Sequence, residues 1–117
     1  MNYEIVPTEK FYAIVKRLAK KYHSLADDLE NLKQEILKNP LIGDDLGDNT
    51  RKVRMAIASK NKGKSGGARV ITCSVLVSID DTDIYLLTLY DKGKKDNITP
   101  NEIRQLKQDA GLLSSTL

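Results

Sequence analysis

The sequence predicts an α+β fold, a helical hairpin packed on a mostly antiparallel four-stranded sheet with a short C-terminal helix. Two observations carry this reading. Two early segments repeat apolar residues at helical spacing, whereas three later segments show strand patterns. Helix and strand signals are also segregated along the chain, which argues for α+β with a mostly antiparallel sheet.

The elements follow in order. Residues 3–6 read as a short strand that Pro7 ends. Thr8 caps a helix in which Phe11, Val15, Leu18 and Tyr22 form one apolar stripe, with Lys10, Lys16, Arg17, Lys20 and Lys21 on other faces. Ser24, with Asp27 three residues on, opens a second helix in a weak version of the capping box. Leu25, Leu29, Leu32 and Ile36 repeat the first stripe's spacing, and Asn39-Pro40 stops the helix. Two amphipathic helices separated by one or two residues make a hairpin, because each stripe needs cover. Residues 41–50, with Gly43, Gly47 and three Asp, read as a loop.

The period then becomes two. Val53, Met55 and Ile57 alternate with Lys52, Arg54 and Ala56, which describes a strand with a basic face. Residues 60–67 form a flexible basic loop, residues 69–79 a third strand, and residues 80–83 the turn of a hairpin. The unbroken apolar run 84–90 reads as a strand inside the sheet. Thr99-Pro100-Asn101-Glu102 is a full capping box with Pro at the first helical position. The helix it opens turns Ile103 and Leu106 inward and ends at Gly111. The tail, residues 112–117, packs on the sheet or frays.

A chain of 117 residues fits one domain spanning residues 1–117, with a modest core. Its balance, 40% hydrophobic and 30% charged, is that of a globular protein. No apolar run is long enough to span a bilayer, and Met1-Asn2-Tyr3-Glu4 lacks the start of a signal peptide. The single Cys73 permits no internal disulfide, which suits a reducing cytoplasmic setting, and its apolar run marks it as a buried structural residue.

Charge distribution says more than the net charge of +3. Residues 51–69 hold seven of the 19 basic residues (Arg51, Lys52, Arg54, Lys60, Lys62, Lys64 and Arg69) and none of the 16 acidic ones. So focused a patch attracts a polyanion, nucleic acid first. A second basic cluster, Lys92, Lys94 and Lys95, follows Tyr90-Asp91. If the strands form a meander, the end of the strand carrying Tyr90 returns beside the start of the strand carrying Arg54. Basic residues of three strands then meet at one edge of the sheet.

Other motifs carry less. Gly63-Lys64-Ser65 imitates the end of a phosphate-binding P-loop, but Ala58 stands where the motif needs glycine, and a strand follows instead of a helix. His23, the only histidine, falls at the helix junction and reads as a linker residue. One His and one Cys do not supply the usual set of metal ligands, so neither metal nor cofactor is expected.

Taken together, several blocks resemble the RelE/ParE toxin superfamily, in its RelE and HigB branch. They are Arg51-Lys52-Val53-Arg54; the run from Ala58 to Ile71 containing Lys62-Gly63-Lys64-Ser65-Gly66-Gly67-Ala68-Arg69-Val70; Tyr85-Leu86-Leu87-Thr88-Leu89-Tyr90-Asp91-Lys92; Asn97-Ile98-Thr99; and Glu102-Ile103. The likeness extends to Ile5-Val6-Pro7-Thr8 and to Leu37-Lys38-Asn39-Pro40, nearly the whole chain. It implies a microbial-ribonuclease-like fold and a toxin that enters the ribosomal A site and cleaves mRNA there. It also implies a cognate antitoxin, through which the pair contacts operator DNA.

The family's paired basic positions match Lys52 and Arg54, its basic residue opening the next strand matches Arg69, and its basic residue past the last long strand matches Lys92. Arg51, Lys60, Lys62, Lys64, Lys94 and Lys95 are then expected to contact RNA. Some members carry a catalytic tyrosine in the last helical segment. Ile98 or non-aromatic neighbours stand there in this chain, so that role is unfilled or falls to Tyr90. Two other readings compete. One is a ParE-like toxin that binds a protein target such as a topoisomerase, although such members largely lack the basic set. The other is an RNA-binding protein that leaves RNA uncut, although few aromatic residues interleave the charges.

Overall fold

The computed structural model describes residues 1–61 and 63–113. Their order is β1 (Asn2–Pro7), α1 (Glu9–Ala19), α2 (Leu25–Lys38), β2 (Asp44–Gly47), β3 (Thr50–Met55), a single 3-10 turn (Ala58–Lys60), β4 (Ala68–Leu76), β5 (Asp81–Asp91) and α3 (Pro100–Asp109). The α+β class, the helical hairpin, the mostly antiparallel sheet and the C-terminal helix are all present. Only β1 runs parallel to its neighbour, β5.

The sheet has five strands in the order β1-β5-β4-β3-β2. The additional one, β2, lies in the stretch expected to be a loop. Gly47, Asp48 and Asn49 all take left-handed backbone angles and turn the chain sharply back into β3. Residues of these types tolerate that region, so the signal of a loop here is equally the signal of a hairpin turn. A register shift between Asp45 and Gly47 and full exposure of β2 mark a short, irregular edge strand.

Three local expectations need correction. Tyr22 does not continue the α1 stripe: the helix ends at Ala19, and Tyr22 lies in the connection, buried, with its hydroxyl turned toward β5. Ser24 makes no side-chain cap on α2. Its Oγ accepts instead from the Ser59 backbone N–H at 2.9 Å, and the Asp28 carboxylate accepts from the Ala58 N–H at 3.2 Å. The start of α2 thus caps the 3-10 turn of a segment some thirty residues away. Finally, the end of β5 is separated from β3 by β4, and it is level with the end of β3 rather than its start.

Each sheet face has its own core. On one, α1 and α2 bury Phe11, Leu25, Leu29, Leu32 and Ile36 against Val53, Met55, Val70, Ile84, Leu86 and Leu89. On the other, α3 brings Leu106, with Ile98 ahead of it, onto Ile71, Cys73, Leu87 and Tyr90. α3 begins at the expected capping box: Thr99 Oγ1 accepts from the Glu102 N–H, and Glu102 accepts from the Thr99 N–H. Cys73 is buried, as its apolar run implies. No helix among the described residues is long and apolar enough to cross a membrane.

Candidate functional site

Alternation decides which basic residues share a face. Val53 and Met55 belong to the core under the helical hairpin, so Lys52 and Arg54 project from the opposite side of β3. On β4, Arg69 shares that side with Ile71 and Cys73; on β5, Tyr90 does. Register then aligns them: Arg54 is opposite Arg69, and Arg69 is opposite Tyr90. Directly opposed residues on antiparallel strands have Cβ atoms about 5 Å apart. Two guanidinium-bearing residues and a tyrosine therefore form one row across three strands. Lys52 lies one pleat away, opposite Ile71, and Lys92 opens the turn that follows β5, two residues past Tyr90.

Arg69 is held by the loop before it. Although only 7% exposed, it has no carboxylate partner among the described residues. Its Nη1 donates to the carbonyls of Lys64 and Ala68, both at 3.1 Å, and Nη2 donates to the carbonyl of Ser65 at 3.2 Å. Three of the five guanidinium donors are thus engaged by neutral acceptors, which keep the charge intact and leave Nε and one Nη2 hydrogen for a further acceptor. Gly67 makes this loop path feasible. A Cβ there would stand 2.1 Å from the Met55 carbonyl oxygen, so only glycine lets the loop pass so close to the end of β3. The Gly67 carbonyl in turn accepts from the Lys92 N–H at 3.0 Å, tying the loop to the end of β5.

The other basic residues are placed less uniformly. Lys92 Nζ donates to the Asp96 backbone carbonyl at 2.6 Å and to its fully exposed carboxylate at 2.9 Å, a screened pair of little strength. Arg51 is on the helical side of β3 and donates to the carbonyls of Ile42 and Gly43. Lys64 pairs with Glu35 on α2 at 3.1 Å, and Lys95 pairs with Glu102. Lys94 is exposed. Lys62 lies outside the described residues, as does the tail at 114–117.

Lys60 faces inward. Its Nζ donates to Asp91 Oδ1 at 2.6 Å, with side chains 12% and 5% exposed, and lies 5.8 Å from the centre of the Tyr22 ring. The Tyr22 hydroxyl donates to Asp91 Oδ2, and the Gly93 N–H to Oδ1. Burial opposes the ionised form of Asp91. The Lys60 and Tyr22 hydrogen bonds, the Gly93 N–H and the Lys60 charge overcome that and hold the carboxyl down to about 2. The same hydrogen bond to Asp91, followed by burial, raises the Tyr22 hydroxyl above its ordinary value. This node joins the helix connection, the 3-10 turn and the end of β5. Sequence reasoning missed it because its members are far apart in the chain and none belongs to a recognisable spacing.

Tyr90 differs again. It is 8% exposed, and its hydroxyl is the one buried side-chain polar atom without a hydrogen-bond partner among the described residues. Burial raises it, Arg69 lowers it in part, and Glu102 raises it further. A hydroxyl kept neutral in this way is poorly suited to be a general base. Among the described residues, no group of three or more His, Cys, Asp and Glu lies together as metal ligands would.

A family model described as the RelE toxin of the RelE/RelB toxin–antitoxin system matches residues 10–116. The chain belongs to the RelE toxin family. Membership makes it the toxin half of a toxin–antitoxin pair and implies a cognate antitoxin as its partner. In this RelE-family toxin the matched region contains both helical hairpin and α3, together with every residue of the Arg54–Arg69–Tyr90 row. His23 sits exposed at the helix connection.

Proposed function

We propose that this toxin is a ribosome-dependent endoribonuclease that cleaves mRNA in the ribosomal A site and so inhibits translation. The observation that supports it best is the row of Arg54 and Arg69, with Lys52 on the same sheet face and Lys92 in the turn after β5, and with no carboxylate on Lys52, Arg54 or Arg69 among the described residues. Its partners in this reading are ribosome-bound mRNA and the antitoxin, with operator DNA reached only through the antitoxin complex. Its compartment is the cytoplasm, and residues 1–117 act as one domain.

The reaction is attack of an RNA 2′-hydroxyl oxygen on the adjacent phosphorus. The O2′–P bond forms, the P–O5′ bond breaks, and the products are a cyclic phosphate and a free 5′-hydroxyl. One group takes the 2′-OH proton and another protonates O5′. Arg54 and Arg69 remain charged and offer planar forks to the phosphorane oxygens. Lys52 and Lys92 take the base and acid roles in this reading. Tyr90 is the uncharged end of the row, beside Arg69, and the ribosome supplies substrate orientation.

Primer extension on an mRNA in a purified translation reaction tests this, with the wild type and Arg69→Ala. Cleavage within ribosome-bound codons, reduced about 100-fold or more in the variant, is the expected outcome. Intact mRNA with both proteins, despite growth arrest on expression, assigns the toxin to a protein target instead.

A further inference from the structure

Beside the basic row, between α3 and the β2–β3–β4 part of the sheet, lies an open groove of about 900 Å³. Its walls are largely apolar, with Ile98 and Ile103 on one side and Cys73 on the other. Three cations line it: Lys52, Arg104 and Lys107. The lone carboxylate-bearing residue of the lining, Asp48, is exposed and belongs to the β2–β3 turn.

Lys107 is the unusual member. It is only 7% exposed, yet it has no carboxylate partner among the described residues, and its one hydrogen bond is a long 3.4 Å contact to the Asp48 backbone carbonyl. An ammonium that lines the groove with most of its donors unengaged has hydrogens to offer an anion there. Arg104, one turn of α3 earlier, is exposed and likewise lacks a carboxylate.

We propose that this groove is a nucleotide subsite, in which Arg104 and Lys107 hold an RNA phosphate next to the scissile one and Ile98 and Ile103 receive a base. The inference rests on the RNA-cleaving reading above and adds where the substrate strand runs. Lys52 belongs both to the groove and to the face carrying Arg54 and Arg69, so an RNA backbone leaving the row continues along cations into the groove. The side-chain amides of Asn97 and Asn101 in the lining give a base donors and acceptors for its edge. An acidic protein segment satisfies the cations but uses neither the base-sized apolar wall nor the continuity through Lys52.

The test is fluorescence anisotropy of the full chain with a fully 2′-O-methylated RNA hexamer, which lacks the attacking hydroxyl, over a salt series. Arg104→Gln and Lys107→Gln are each expected to weaken binding about tenfold and to lower the log–log salt slope by about 0.7. Arg104 is exposed, so its variant reads out even if Lys107→Gln folds poorly. Unchanged affinity and slope in Arg104→Gln, with affinity lost in Arg69→Ala, overturns the groove and leaves the RNA-cleaving reading standing. Wild-type protein that fails to bind the hexamer at low salt also overturns the groove, while the RNA-cleaving reading is decided separately by the primer-extension assay. Binding of poly-L-glutamate that falls in Arg104→Gln while RNA binding holds assigns the groove to a protein partner and also overturns the proposal.

Discussion

Arg54 and Arg69 face each other directly across β3 and β4. Like charges in that position destabilise a sheet, and a protein selected for stability alone avoids them. Three backbone carbonyls fix Arg69 in place without neutralising it. Charge is concentrated here at a cost to stability, as expected where it acts on a substrate.

Replacing one of the pair reverses that trade. Arg54→Thr is expected to stabilise the fold by roughly 0.2–1 kcal/mol, since cross-strand repulsion is relieved and a good strand former is introduced. Cleavage in the translation reaction falls in the same variant. Thermal unfolding beside primer extension checks it, and a lower melting temperature counts against the repulsion argument.

Lys60 behaves in the opposite way. Lys60→Met leaves the buried Asp91 carboxylate without its cation and is expected to destabilise the protein by about 3 kcal/mol in urea unfolding. Lys64→Gln, at an exposed ion pair, stays within about 0.5 kcal/mol of wild type. Equal stability of the two variants would show that Lys60 is not a structural cation.

The same node sets an acid limit. Asp91 titrates at about 2 in the folded chain, against an ordinary 3.8. The unfolded chain therefore takes up the proton first. Stability contributed by the node is complete above about pH 4 and is lost as the pH falls toward 2, a change on the order of 2 kcal/mol. Urea midpoints at pH 5, 3.5 and 2.5 follow this loss, and Asp91→Asn flattens the dependence.

Tyr90→Phe removes a hydroxyl that has no partner. The variant is expected to be as stable as wild type or up to about 1 kcal/mol more so, and to cleave mRNA within a few-fold of it. A loss of cleavage of 100-fold or more would make Tyr90 a participant in proton transfer.

Much of the fold was legible because helix stripes, strand alternation and capping are local. Thr99 and Glu102 are three residues apart, and their box forms as the spacing dictates. β2 was not legible: a four-residue edge strand buries nothing and leaves no apolar pattern. The site divides in the same way. Lys52 and Arg54 could be placed on one face of β3 from period two alone, whereas the place of Arg69 on that face is decided by the β3–β4 register. The inward turn of Lys60 could not be read in this way, because Tyr22 and Asp91, which hold it, are decided by tertiary packing. The basic loop read as one patch separates into Lys60 beneath the sheet's end, Lys64 against α2, and carbonyls that hold Arg69.

Pairing of β1 with β5 joins the first residues of the chain to a strand made near its end. Residues that close the node, Tyr22 and Asp91, are separated by 69 positions. Contacts of this range form late, after the intervening chain has been synthesised and its loop closed. On a translating ribosome, the early helices can form while the basic row is still incomplete, since Tyr90 and Lys92 come after most of the chain. A truncated or stalled product thus has the helical hairpin without the assembled face. The basic face is therefore among the last parts of the fold to be assembled.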